Sequence, residues 1–311
     1  MVRAPSDRQD CNPVTAVIRH VGKHPHALSE GNIMSAENKS EALGSTEPRA
    51  RVEVKSVSKS FATKEGTVQA LRHIDLVARD QEFTCIVGPS GCGKSTLFNI
   101  IAGLLDPTSG EVLVDGTPVQ AGIAGRMGYM QQKDLLIPWR TILQNVTIGL
   151  EIQRQPSVEA REKAIAYLKL FGLEKYRDSY PAALSGGMRQ RVALMRTLVM
   201  GQDIILMDEP FQSLDYPTRV ALEADLLEMV RELKRTVLFI THDIEEAVSI
   251  ADKVYILSKG PGTVRDLRTI RLNMKRESPI DARKNPEFHT HYAAIWNQLE
   301  VVTDLRKERA Q

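Results

Sequence analysis

The sequence predicts an α/β fold with a mostly parallel central sheet. Three observations carry that expectation. Short apolar strand candidates alternate with helix candidates along most of the chain, the order in which parallel strands and their crossover helices follow one another. The apolar run Phe83-Thr84-Cys85-Ile86-Val87 leads straight into a glycine-rich loop that opens a helix. Two further apolar runs, Ile204–Met207 and Val237–Ile240, end in ionisable residues, and parallel sheets expose ligand chemistry at the carboxyl ends of their strands.

The elements follow in order. Residues 1 to about 50 are rich in Ser, Asn, Glu, Pro and His without a period of 2 or 3.6, so residues 1–50 are expected to form a disordered arm with one short apolar patch, Val14–Val21. Order begins near Arg51. Arg51–Val57 alternates polar and apolar residues as a half-exposed strand does, and Ala70–Ala78 reads as a second strand. After Phe83–Val87 come a helix at Lys94–Ala102 and strands at Glu111–Asp115 and Met127–Met130. The stretch 140–185 breaks the alternation and is helix-rich, with one helix at Val158–Phe171, which makes it a candidate helical subdomain. Helix Met188–Met200, strand Ile204–Met207, helix Thr218–Lys234, strand Val237–Ile240, helix Ile244–Ala251 and strand Val254–Leu257 complete the main domain, residues 51–260. Residues 261–311 form a C-terminal extension expected to be helical, with the pattern of a helix from Asn285 on. There Phe288, Tyr292, Ile295, Trp296 and Leu299 recur at nearly helical spacing, as in a helix packed on the core.

Composition narrows the classes of function. A chain of 311 residues with 42% hydrophobic residues can bury a sizeable core. Lys and Arg number 41 against 39 Asp and Glu, a balance that argues against a nucleic-acid partner, which calls for a basic stripe. Three cysteines, Cys11, Cys85 and Cys92, make no disulfide framework and lack metal-ligand spacing, a usage that fits a reducing compartment. No run reaches the ~18 apolar residues of a membrane span, and the N-terminus shows no apolar leader.

The loop Gly88-Pro89-Ser90-Gly91-Cys92-Gly93-Lys94-Ser95-Thr96 fits G-x-x-x-x-G-K-[ST]. Glycines let the backbone curl so that several N–H groups point inward at phosphate, and the positive end of the following helix adds to that field. Lys94 is placed to reach the β- and γ-phosphates, and the Ser95 hydroxyl to hold Mg²⁺. Cys92 lies near the helix N-terminus, where a thiolate is favoured. Its side chain is read as incidental to the cradle, with sensitivity to thiol reagents that bound nucleotide blocks.

The strand Ile204–Met207 delivers Asp208 beside this loop, where it can hold Mg²⁺ through water. Glu209, the next residue, points the other way and can polarise a water for attack on the γ-phosphate. His242 follows the strand Val237–Ile240 and can hydrogen-bond the γ-phosphate and orient the water. Gly88, Asp208 and His242 are thus expected on one edge of the sheet.

Ala183-Leu184-Ser185-Gly186-Gly187-Met188-Arg189-Gln190-Arg191 resembles the signature of ATP-binding cassette (ABC) ATPases. With the phosphate loop, Asp208-Glu209 and His242 in that order, the resemblance covers roughly residues 51–260. It implies a P-loop ATPase with an N-terminal antiparallel β subdomain, a parallel core and a helical subdomain at about 140–185, using ATP and Mg²⁺. It further implies that Ser185, Gly186 and Gly187 bind the γ-phosphate held by the opposite subunit of a head-to-tail homodimer. Ser213-Leu214-Asp215 resembles the D-loop, so Asp215 is expected at that interface. Gln132 matches the Q-loop glutamine, a catalytic and metal-contacting position, although Gln131 stands next to it. Phe61, after a strand candidate, matches the aromatic that stacks on adenine; an ordinary core aromatic is the alternative.

Leu135-Leu136-Ile137-Pro138-Trp139-Arg140, Asp208-Glu209-Pro210-Phe211 and Met188-Arg189-Gln190-Arg191 together resemble the ATP-binding subunits of nitrate/sulfonate/taurine-type importers. Asp281-Ala282-Arg283, Phe288 and Ile295-Trp296 are similar to the short tails of that branch, and residues 261–311 are too few for the regulatory β-domain of sugar importers. Gln212-Ser213 and Arg196-Thr197-Leu198 depart from the family pattern in ways that touch only the fine fit of the dimer contact. The resemblance implies separate integral-membrane permease subunits, an extracytoplasmic solute-binding protein acting indirectly, and a peripheral place on the cytoplasmic face of the inner membrane. An exporter subunit is disfavoured by Pro138-Trp139. A non-transport ABC ATPase is disfavoured because no long heptad insert separates Lys94 from Ser185.

Overall fold

The computed structural model describes residues 48–120, 127–272 and 278–299. The arm expected over residues 1–50 thus lies almost wholly outside the described residues, as do residues 300–311. Two sheets make the frame. One is four-stranded, in the order β2-β1-β4-β5, and entirely antiparallel. It is built from β1 (Ala50–Thr63), β2 (Gly66–Arg79), β4 (Ser109–Val114) and β5 (Thr117–Pro118). The other is six-stranded, in the order β10-β9-β3-β8-β7-β6. Its strands are β3 (Phe83–Val87), β6 (Met127–Met130), β7 (Ile204–Asp208), β8 (Thr236–Thr241), β9 (Lys253–Leu257) and β10 (Val264–Thr269). All neighbours in it are parallel except β10 on β9.

The central strands are apolar on both faces because both faces are covered. Ile204 and Leu206 of β7 and Leu238 and Ile240 of β8 pack toward the antiparallel sheet and helix α1 (Lys94–Ile101). Their neighbours Ile205, Met207, Val237 and Phe239 face the opposite core. That core is filled by α2 (Ile142–Ile152), α3 (Ser157–Leu170), α4 (Gly186–Leu198), α5 (Tyr216–Glu232) and α6 (Ile244–Ile250). Helix α1 is wedged between the sheets through Leu97, Phe98, Ile100 and Ile101, all buried. Each such apolar side chain contributes about 1.5–3 kcal/mol over leaving it exposed. The loop that precedes α1 is therefore anchored at both ends, by β3 and by this wedge.

Two departures from the sequence reading have physical causes. The extension expected to be helical begins with strand β10, paired antiparallel with β9, and continues with helices α7 (Pro279–Lys284) and α8 (Pro286–Gln298). Strand β10 carries Arg265, Asp266 and Arg268, the charges that guard a sheet edge, and so lacks the apolar signature of a strand. Helix α2 was hidden within the helix-rich 140–185 stretch, yet it starts with a full capping box. The Thr141 hydroxyl accepts from the Gln144 backbone N–H at 3.3 Å, and the Gln144 side chain accepts from the Thr141 N–H at 2.9 Å.

Candidate functional site

Strands β3, β8 and β7 are adjacent and parallel, so Gly88, His242 and Asp208 meet along one sheet edge. The loop after β3 is shaped by two left-handed glycines, Gly91 at φ 76° and Gly93 at φ 98°. Gly93 is the N-cap of α1 and supplies no side chain to the first turn. A Cβ there would lie 2.6 Å from Leu71 Cδ2 and 3.0 Å from the Ala70 carbonyl. The helix thus presents unpaired N–H groups and its positive end. Lys94 is buried, and its Nζ donates to the carbonyls of Gly88 at 2.8 Å and Pro89 at 3.1 Å. Ala70, Ser90, Gly91, Gly93, Lys94, Ser95, Thr96, Gln132 and Glu209 line an open cavity of about 370 Å³.

Cys92 behaves differently from the sequence expectation. It is 1% exposed, and burial pushes its thiol up rather than favouring the thiolate. Its Sγ lies where a Cβ on Gly88 would come within 2.8 Å, so the side chain turns into the protein while the loop backbone faces the cavity.

Asp208 is 2% exposed at the tip of β7 and is hydrogen-bonded to the Ser95 side chain. Burial, joined by the neighbouring Glu209 charge, holds its carboxyl above the usual range. A buried carboxylate beside a hydroxyl is a donor pair that suits a hard divalent cation. Glu209 breaks away from the strand in the left-handed region, at φ 49°, while its N–H still donates to the Ile240 carbonyl at 2.9 Å. That conformation is strained for a residue with a Cβ, and it separates the two carboxylates. The Glu209 Oε2 lies 3.2 Å from His242 Nδ1 and accepts from Gln132 Nε2 at 3.4 Å. Gln132 also donates to Gln212 Oε1 at 3.2 Å. The structure therefore brings Lys94, Ser95, Asp208, Glu209, Gln132 and His242 together. Of the two adjacent glutamines, Gln132 is the one bonded to Glu209.

Phe61 stands apart from these. It lies within β1, opposite Val68, rather than after a strand, because β1 runs on to Thr63. It is 38% exposed, with Lys59 Nζ 5.3 Å from its ring centroid. It is therefore no core aromatic and offers a face for stacking.

Ser185, Gly186 and Gly187 open α4. The Ser185 hydroxyl caps it by accepting from the Met188 N–H at 3.3 Å. None of the three lines the cavity around Lys94. Gly187 instead packs on the loop before α5, where a Cβ would meet Leu214 Cδ2 at 3.0 Å and the Ser213 carbonyl at 3.1 Å. Asp215 caps α5 by accepting from the Thr218 N–H at 3.2 Å and the Thr218 hydroxyl at 3.0 Å. Those hydrogen bonds hold its carboxyl below the usual range.

Matching the family model described as ABC transporter, residues 71–212 span the phosphate loop, Gln132, the Ser185 helix start and the Asp208-Glu209 strand end. The ABC transporter ATP-binding protein MJ0412 of Methanocaldococcus jannaschii is 43% identical over 83% of this chain and 95% of its own length. This chain belongs to the ABC transporter ATP-binding family. It is an ATP-hydrolysing ABC cassette. The nitrate import ATP-binding protein NrtD of Synechocystis is 42% identical over 80% of this chain and 94% of its own length. The bicarbonate transport ATP-binding protein CmpD from the same organism is 37% identical over 72% and 80%. Among solved structures, the MJ0796 cassette, a dimer in a post-hydrolysis state with ADP and Pi, superposes with a TM-score of 0.66. It is 34% identical and covers 71% of this chain and 99% of its own.

Sequence reading missed the residues that tie the segment after Gln132 to the neighbouring helices. Arg189 Nε donates to Asp134 at 2.9 Å, and Arg196 donates to the carbonyls of Leu135 and Asp134 at 2.8 and 2.7 Å. Helix α4 thus grips the segment that follows Gln132. Asn145, fully buried, accepts from the Ile137 N–H at 2.7 Å and donates to three carbonyls between Ile137 and Thr141. It fixes the loop that exposes Trp139. A polar residue inside an apolar helical stretch was the available signal.

Proposed function

We propose that this cassette is the ATP-hydrolysing subunit of an importer that takes up a small oxyanion or sulfonate, of the nitrate/sulfonate/taurine kind, through a separate membrane permease. The observation that carries the coupling is the Gln132 contact with Glu209: the same segment meets the reacting edge at one end and is gripped by α4 at the other. Two copies are proposed to face head to tail, because the Ser185 helix start lies outside the cavity that holds Lys94. Glu209 acts as the base toward the attacking water, and His242, 3.2 Å from it, steadies the base and contacts the γ-phosphate. Ser95, Asp208 and Gln132 would hold Mg²⁺, which neutralises phosphate charge when bound.

Next to the loop of Pro138 and Trp139, helices α2 and α3 border an open cavity of about 340 Å³ lined by Leu143, Thr147 and Val158. On these helices and the loop before them, Trp139, Ile152 and Val158 are exposed at 78%, 76% and 67%, apolar side chains that suit contact with a permease loop. No helix among the described residues is long and apolar enough to cross a membrane. The importer reading rests on the likeness to NrtD and CmpD and on the Pro138-Trp139 segment. Affinity capture from detergent-solubilised membranes tests it. Co-purification of a polytopic permease, joined by an extracytoplasmic binding protein when solute is added, is the expected result. Capture alone or with ribosomes would overturn the transport reading.

A further inference from the structure

His242 sits between two residues that are both tied into a partly buried charge cluster, and the cluster has one hub, Arg219 on α5. Arg219 Nη1 donates to Asp243 Oδ2 at 2.9 Å and lies 3.4 Å from Glu246 Oε1. Its Nη2 donates to the Leu214 carbonyl at 3.3 Å, in the loop that leads to Asp215. Asp243 follows His242 directly. Its other oxygen caps α6, accepting from the N–H groups of Glu245 at 2.8 Å and Glu246 at 3.3 Å. Thr241 precedes His242. Its hydroxyl accepts from the Asp243 N–H at 2.9 Å and donates to Glu246 at 2.5 Å. Both peptide neighbours of the histidine are therefore fixed, and the imidazole itself is half exposed, with Glu209 as its side-chain partner.

The C-terminal extension supplies the second cation. Arg283 of α7 pairs with the fully buried Glu223, one turn along α5 from Arg219, at 2.9 Å. Its Nε lies 3.8 Å from Glu245, and its guanidinium lies 5.6 Å from the Tyr216 ring, beside Asp215. Four carboxylates (Glu223, Asp243, Glu245 and Glu246) thus surround two arginines. With Arg283 neutralising Glu223, Arg219 is left to Asp243 and Glu246.

We propose that Arg219 is the positioning residue for His242. It locks the loop that presents the imidazole to Glu209 and, through the Leu214 carbonyl, joins that loop to the segment of Asp215. Arg283 keeps it in that place. A half-buried guanidinium held between the Asp243 and Glu246 carboxylates and the Leu214 carbonyl imposes direction as well as charge. Moving a catalytic side chain by a fraction of an ångström costs turnover without touching the phosphate cradle.

The inference rests on the reading of His242 as a catalytic group, and the test separates the two. The full chain is purified, and its ATPase kinetics with MgATP are measured for Arg219→Ala, Arg219→Lys, Asp243→Asn and His242→Ala. Arg219→Ala is expected to lower kcat about 10- to 100-fold with KM for ATP within about twofold. Arg219→Lys is expected to restore part of kcat. Asp243→Asn keeps a capping oxygen and so keeps the fold, and it should lower kcat in the same direction. It stands in should Arg219→Ala not fold. The histidine NMR signal that His242→Ala removes should shift in Arg219→Ala and in Asp243→Asn, whereas that of His291 should not. If His242→Ala slows turnover while Arg219→Ala and Asp243→Asn do not, the positioning role falls and the reading of His242 stands. If His242→Ala turns over normally, both fall.

Discussion

Two helix starts in this molecule carry the phosphate chemistry proposed for it, and they are built differently. Helix α1 begins at Gly93, which has no side chain to give its first turn and is surrounded by Lys94, Ser95 and Glu209 on a cavity wall. Helix α4 begins at Ser185, whose hydroxyl already accepts from the Met188 N–H, and the cavity does not include it. The first start is an open receptor that a ligand must complete. The second is capped and stable without a ligand, and is suited to touching an anion held elsewhere. In the proposed head-to-tail pair, the difference would let one chain bind nucleotide while a second copy completes the reacting pocket.

Substitutions can break the comparison at either end. Lys94→Ala removes the ammonium at the cradle and should reduce turnover by at least about 100-fold, with weakened ATP binding, as read by a steady-state assay and fluorescent-nucleotide titration. Ser185→Arg should lose turnover to a similar degree while the chain keeps its ATP affinity. Equal loss of affinity in both would erase the distinction.

A single methyl sharpens it. Gly93→Ala forces a Cβ into a left-handed backbone and against Leu71 at 2.6 Å, so it should cost about 1–3 kcal/mol of stability by thermal or urea unfolding. Gly187→Ala meets its neighbours at 3.0 Å with no left-handed strain and should cost less.

The smallest effect lies in the charge cluster around Arg219. Burial pushes Glu246 up to about 7 from an ordinary 4.5. The folded chain therefore holds a proton that the unfolded chain releases, and this contribution to stability, full below 4.5, is lost as pH rises toward 7. Thermal melts between those values should show Tm falling with pH, and Glu246→Gln should flatten the slope.

Much of the frame was legible because both faces of the central strands are covered and read as unbroken apolar runs. Phe83–Val87 and Met127–Met130 match the observed strands residue for residue. The cradle was legible because its chemistry is local in sequence. What stayed hidden was long-range or counter-patterned. Strand β10 is charged because it is an edge. Arg219 and Arg283 look like ordinary helical arginines until the fold sets them on buried carboxylates from other helices. Cys92 turned inward because the curl of the loop, which sequence position alone does not give, decides which way a side chain points.

The central claim is that hydrolysis needs two chains, and ATP-dependent assembly tests it most directly. Light scattering after gel filtration should show Glu209→Gln doubling in mass with ATP, because the trapped nucleotide holds the two copies together. Adding Ser185→Arg to that variant should leave a monomer that still binds ATP. A Glu209→Gln chain that remains monomeric at saturating ATP, or a double variant that dimerises equally well, would contradict the account.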